Sequence, residues 1–366
     1  MTRGPLVLAT LVVLGVCGLY LAYALATAAG TFGCDYLTYD AATRLWLAGG
    51  DPYPTAVAEA GACGIFQYPP PFLLLVAPLT VLPPAAADWV WVAVLAACVP
   101  IAVLAMPVPP FTRLVVLALA GTSWPVLFAI RVGAIGPLLL LLFALAWRWL
   151  DRPRALAAAT IAGGFAKVMP GLLVGWMLLT RRWRAAALIF AVAAAVSLAW
   201  FLVQPWLWLG FLGTERLIAA KVVSAPLNFS PASLAYFGGA SVATAQLTGT
   251  VHATVVLVVV AVASLRRSPD ASLIAFAIAS QTVAPVLWDH YAVVVFLAVA
   301  WLLARRQWWA AVLGVAMNWM LILWFQPWQW LLLMDGAIAA VLAVDWLAAR
   351  RQPGRSRAAG AAGAAA

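Results

Sequence analysis

Charge is scarce in this sequence. Of 366 residues, 9% are Asp, Glu, Lys or Arg, while 66% are hydrophobic. A soluble globular domain carries roughly 25% charged residues. Too little polar surface remains to cover a soluble body of this length, so the solvent must be lipid. Acid is the scarcer sign, with 11 Asp and Glu against 21 Lys and Arg. Histidine occurs twice and cysteine four times, and neither recurs at metal-ligand spacing, so no metal cluster is indicated. No glycine-rich loop ends in Gly-Lys-Ser/Thr, so nothing points to nucleotide phosphates. No internal repeat and no soluble domain can be marked off.

What is abundant is apolar sequence. Runs of about 15–25 residues cover 6–29, 86–106, 111–130, 135–150, 184–208, 251–265, 271–287, 290–304, 307–325 and 330–348. A helix needs about 20 residues to cross ~30 Å of hydrocarbon, so ten full spans are expected. Twenty Trp and eight Tyr suit interfacial belts. The net charge of +10 orients the chain rather than binding nucleic acid. Arg3, Arg113, Arg148, Arg152, Arg154, Arg181, Arg182, Arg184, Arg266, Arg267, Arg305, Arg306, Arg350, Arg351, Arg355 and Arg357 fall in alternate loops. By the excess of basic residues in cytoplasmic loops, both termini are expected inside. The first run is longer than the apolar part of a cleaved signal and is expected to stay as an anchor. Residues 1–350 form one expected transmembrane domain, and 351–366 a disordered basic and Ala-rich cytoplasmic tail.

Two stretches resist a simple span. Residues 155–179 lie between two cytoplasmic Arg clusters, so the chain must enter and return, with the break expected around Gly163–Gly164, Lys167 and Pro170. Backbone unpaired at that depth has to be buried in protein or line a watered cavity. "YPPPFLLLVAPLTVLPP" (68–84) is too short to span and is expected to lie along the outer leaflet.

The outer side holds the informative charges. The first outer segment, 31–84, contains Asp35, Asp40, Asp51 and Glu59; the second, 209–250, contains Glu215, Arg216 and Lys221. Asp35 directly follows the first apolar run. It reads equally as a loop acid, a helix N-cap or a functional carboxylate. Asp40 and Arg44 have the i, i+4 spacing of a surface pair, and Asp51 reads as turn chemistry. Lys167 is too far from either Arg cluster to snorkel there, and a cation facing an outward cavity wants an anion. Arg131, in the short outer turn "IRVGAIG", is either an interfacial anchor or a second such cation. "VLWDHYAVVV" (286–295) packs Trp288, Asp289, His290 and Tyr291 at the membrane rim, whereas His252 reads as interfacial. "PLNFSPASL" (226–234) can offer hydroxyls and an amide. Cys34 and Cys63 share the first outer segment, where a disulfide would pin it.

In this order and spacing, "GCDYLTYDAATRLWLAGGDPY", "FQYPPPFLLLVAPLTVLP", "GGFAKVMPGLL", "NFSPASL" and "WDHY" resemble glycosyltransferase family 87, the polyprenol-phosphate-mannose-dependent mannosyltransferases of the GT-C superfamily. The resemblance implies an all-α integral membrane protein, a GT-C-type polytopic bundle of about ten spans plus a broken helical pair. It further implies inverting transfer of a hexose, with mannose expected, from a polyprenyl-phosphate-sugar to an acceptor hydroxyl outside the bacterial cytoplasmic membrane. Asp35 takes the general-base position. A phosphate leaving group asks for cations, for which Lys167, Arg131 and His290 are the candidates. Tyr39, Tyr68, Asn228, Ser230, Trp288 and Asp289 are the candidate substrate contacts. No cofactor and no metal are expected; the partners are the donor lipid, a glycolipid or glycan acceptor, and membrane lipids. A secondary transporter of a small anionic or sugar-like solute is the alternative, since broken helices and buried ions also serve transport. Charges gathered at span ends favour the enzyme.

Overall fold

The computed structural model describes residues 3–53, 64–322 and 326–351. Glu59, Cys63 and residues 352–366 of the expected tail lie outside the described residues. All regular structure among them is helical: α1 (Arg3–Ala26), α2 (Cys34–Leu47), α3 (Phe72–Val76), α4 (Pro84–Ala105), α5 (Pro110–Gly121), α6 (Trp124–Val132), α7 (Gly136–Arg148), α8 (Pro153–Ala166), α9 (Leu173–Leu179), α10 (Trp183–Val203), α11 (Pro205–Lys221), α12 (Pro231–Phe237), α13 (Val242–Ser264), α14 (Pro269–Thr282), α15 (Val295–Ala304), α16 (Ala311–Ala316) and α17 (Pro327–Arg350). Proline opens α4, α5, α8, α11, α12, α14 and α17. At the first helical position its missing N–H would have had no intrahelical partner, so it starts a helix at no cost.

Five helices, α1, α4, α10, α13 and α17, are long and apolar enough to cross a membrane. Of the remaining expected spans, 111–130, 271–287, 290–304 and 307–325 break or end early, and 135–150 is one short helix, α7, of 13 residues, so long continuous helices do not carry the count of ten. Hydropathy registers apolar residues whatever their backbone conformation, and so it cannot see a break. The run 111–130 is cut between α5 and α6, and the run 307–325 after α16. The two cuts answer each other. Trp124 N donates to Met317 O at 2.7 Å, Trp319 N donates to Thr122 O at 2.9 Å, and Ser123 bridges Asn318. Exposed backbone polar groups are costly in an apolar medium, so one broken helix supplies the partners the other lost.

The run 271–287 ends its helix at Thr282, and the following backbone is satisfied by the 228–230 loop. Asn228 Oδ1 accepts from Leu287 N at 2.9 Å, its Nδ2 donates to Pro285 O at 3.0 Å, and Phe229 N donates to Leu287 O at 2.7 Å. In the entering pair, α8 continues through Gly163 and Gly164 and ends at Ala166, so the break falls at Lys167. Gly163 is there for packing: a Cβ on it would stand 3.0 Å from Pro170 Cβ.

The centre of the bundle is α14 and α15, buried along almost their whole lengths. A helix apolar on every side belongs inside other helices. By contrast α1 has none of its apolar window buried and presents it outward.

The segment 209–250 is largely helical, holding most of α11, all of α12 and the start of α13. Ser241 caps α13, and Thr248, Thr250 and Thr254 return their hydroxyls to carbonyls one turn back, which lets a polar stretch join the apolar run. His252 is therefore well inside α13 instead of at its mouth, where its Nε2 meets Asp335 Oδ2 of α17 at 2.9 Å.

Candidate functional site

A cavity of about 590 Å³ opens where α2, α6, the Lys167 break, the end of α14 and the 288–294 segment converge. Asp35, Tyr39, Tyr68, Lys167, Trp288, Asp289 and His290 line it. Ile135, Leu139, Val293 and Val294 give its lining an apolar part.

Asp35 is delivered by a left-handed turn. Gly33, at φ 64°, precedes α2, and its N–H donates to Arg131 O at 2.9 Å. A Cβ on Gly33 would lie 2.0 Å from Asp88 Oδ1. Gly33→Ala combines that collision with about 1–2 kcal/mol of left-handed strain. The expected result is a lower melting temperature together with lower activity, because the turn that aims Asp35 must move; an unchanged melting curve would contradict it. Gly133, at φ 77°, ends α6 under the same restriction, with Tyr36 Cβ 2.9 Å from where its own Cβ would be.

Asp35 is half-buried in the first turn of α2. Burial raises its carboxyl above the ordinary carboxylate range, and His290, Lys167 and the Tyr39 hydroxyl pull it back only partly. Tyr39, one turn on, donates to Asp35 Oδ2 at 3.5 Å and shares a 2.7 Å hydrogen bond with the Tyr68 hydroxyl. Tyr68 stacks on Phe72 at 4.4 Å, and its carbonyl accepts from the Tyr53 hydroxyl at 2.8 Å. Burial pushes the Tyr39 and Tyr68 phenols far up, so both remain proton donors at neutral pH.

Lys167 stands in extended backbone where α8 ends, and its Nζ lies 3.5 Å from the Tyr291 ring centre. That contact seats the side-chain nitrogen against a ring face without placing a counter-charge beside it. Among the described residues no carboxylate reaches it within ion-pair distance. Asp35 and Lys167 thus face one cavity with room between them. His290 is buried on the 3₁₀ turn Asp289–Val294, and its Nδ1 lies 3.4 Å from Asp289 Oδ1 but makes no hydrogen bond among the described residues. Asp289 is occupied: Oδ2 accepts from Trp124 Nε1 at 2.6 Å and Oδ1 from His290 N at 2.7 Å.

The structure does not bring every candidate to the cavity. Arg131 Nε donates to Thr31 Oγ1 at 2.9 Å and its Nη2 to Ala28 O at 3.0 Å, so this cation staples the turn that carries Asp35. Asn228 is spent on the 222–230 and 285–287 backbone. Ser230 caps α12 through Ser233 N. Cys34 is disulfide-bonded, and Cys17 and Cys98 are free; the expected partner, Cys63, lies outside the described residues. Among the described residues, no three His, Cys, Asp or Glu side chains gather as a metal-binding group.

Two contributors escaped the sequence reading. Trp124 orients Asp289, and Gln281 lines the cavity from the last turn of α14. An amide inside the apolar run 271–287 was the signal for Gln281, since polar groups at lipid depth usually face a cavity.

The sequence model of glycosyltransferase family 87 matches residues 66–288, more than half of the chain. The matched stretch includes Tyr68, Lys167, Gln281 and Trp288; Asp35 and Tyr39 precede it, and His290 follows it. No curated protein and no solved structure matches.

Proposed function

The chain belongs to glycosyltransferase family 87, and on that premise we propose that it moves a hexose, mannose being the expected sugar, from a polyprenyl-phosphate-sugar to an acceptor hydroxyl at the outer face of the cytoplasmic membrane. One observation carries the reading: Asp35 and Lys167 line the same cavity from different elements without pairing with each other. A base and a cation set apart in this way suit the two ends of a displacement at the anomeric carbon.

In that displacement Asp35 takes the acceptor proton as the acceptor oxygen bonds to the anomeric carbon. The bond from that carbon to the phosphate oxygen breaks, and the phosphate leaves with the electron pair. Lys167 meets the growing negative charge. A single attack from the side opposite the leaving group inverts the configuration. Tyr39 holds Asp35 and, through Tyr68, ties it to the aromatic cluster with Phe72. The apolar lining residues Leu139, Val293 and Val294 offer the polyprenyl chain surface to bury against. Arg131 acts here by fixing the turn before α2, outside the phosphate clamp.

The test is donor dependence in proteoliposomes. Given radiolabelled polyprenyl-phosphate-mannose and a membrane-glycolipid acceptor fraction, the protein is expected to transfer label and to invert the anomeric linkage. Transfer from a nucleotide sugar alone, or retention of configuration, would overturn the proposal.

A further inference from the structure

Resting on the donor class just proposed, we propose that Gln281 reads a hydroxyl of the donor hexose. Gln281 is 1% exposed, yet it belongs to the cavity lining. Its orientation follows from its neighbour. Ser280 Oγ donates its only proton to Ala277 O at 2.7 Å, so toward Gln281 it can only accept. The Gln281 Nε2 donates to that Oγ at 2.9 Å. The amide is thereby fixed with its nitrogen turned to Ser280, which leaves Oε1 as the open end. Oε1 accepts no hydrogen bond among the described residues. That oxygen keeps some exposure to the cavity, where a sugar hydroxyl would give it the partner that the described residues do not supply.

The position favours the donor sugar over the acceptor. α14 packs against Met169–Leu172 and α9, which follow Lys167 directly. It also packs against Asp289–Val294, which carries the Tyr291 ring under the Lys167 ammonium. Gln281 therefore sits on a helix flanked by both segments that hold the cation. In a lipid phosphosugar the hexose is bonded directly to the phosphate, so whatever binds the phosphate places the hexose nearby.

A site built to accept from a hydroxyl rejects the analogue lacking it, because the acceptor is then stranded. The experiment uses the full-length protein in proteoliposomes with polyprenyl-phosphate donors of the parent hexose and its 2-, 3-, 4- and 6-deoxy forms. For wild type, kcat/KM is expected to fall at least about tenfold at the position that Gln281 reads. In Gln281→Met that position loses its penalty, the deoxy and parent donors becoming equal, while penalties at other positions persist. Each ratio is taken within one protein, so a partly unfolded variant lowers both rates alike and leaves the ratio readable. Gln281→Glu keeps an acceptor oxygen of the same reach and is expected to keep the wild-type pattern. A wild type that transfers sugar, but whose deoxy pattern Gln281→Met leaves unchanged, overturns this inference alone. A wild type that uses no lipid phosphosugar overturns the donor assignment along with it.

Discussion

Asp35→Asn is expected to lower the rate of sugar transfer by about 10²- to 10⁴-fold, the usual contribution of a placed general base. Asparagine keeps the shape and can still accept from the Tyr39 hydroxyl, so donor binding and folding should survive. Stability should move the other way from activity. Burial raises the Asp35 carboxyl, so the folded protein favours its protonated form and the charged form is a burden at neutral pH. The variant is therefore expected to melt no lower than wild type at pH 7. Its advantage should vanish below about pH 4, where the carboxyl is protonated in both folded and unfolded chains.

The same shift sets the pH profile. In the proposed role Asp35 works only when ionised, so activity is expected to fall as pH drops through the raised value, with the acid limb above the ordinary carboxylate range. Single-turnover transfer and melting curves across pH 4–8 check both statements. Equal transfer rates in the two proteins would remove Asp35 from the base position.

Lys167→Ala is expected to reduce kcat by about 10²- to 10³-fold at saturating donor, the typical loss when one stabilising contact to developing charge is removed. A second effect separates this role from simple packing. Lys167 is one of the charges that pull the Asp35 carboxyl down. Without it the carboxyl should rise further, moving the acid limb of the residual activity to higher pH. Substitution of Tyr291 by Leu would remove the ring under the ammonium and keep the cation, so its loss should be smaller. An alanine variant with unchanged kcat and an unchanged acid limb would show that the cavity's cation meets no phosphate charge.

Much of the site could be read from the chain because polar residues are conspicuous in a lipid-soluble sequence. Asp35, Lys167 and His290 stood out as ionisable groups beside apolar runs, and all three line the cavity. The same cue was ambiguous at Arg131 and Asn228. Each carries hydrogen-bonding groups at the membrane rim, but each is consumed by backbone that broken helices leave exposed. Which carbonyls need rescue depends on where helices break, and hydropathy does not encode breaks. Gln281 was missed for the opposite reason, a single amide in a run otherwise apolar enough to pass as a span.

The sequence by itself determined that the chain lives in lipid, that its runs of about 20 apolar residues call for helices, and that most of its charges gather at the ends and turns of those runs. Those follow from transfer energies that depend on residue type alone. Tertiary structure decided which runs cross intact, which polar groups serve the backbone and which face the cavity. Such choices depend on contacts such as Trp124 with Met317, or Lys167 over Tyr291, between residues far apart in the chain. A hydrogen bond or a cation–π contact is made by position in space, and only the folded bundle assigns that.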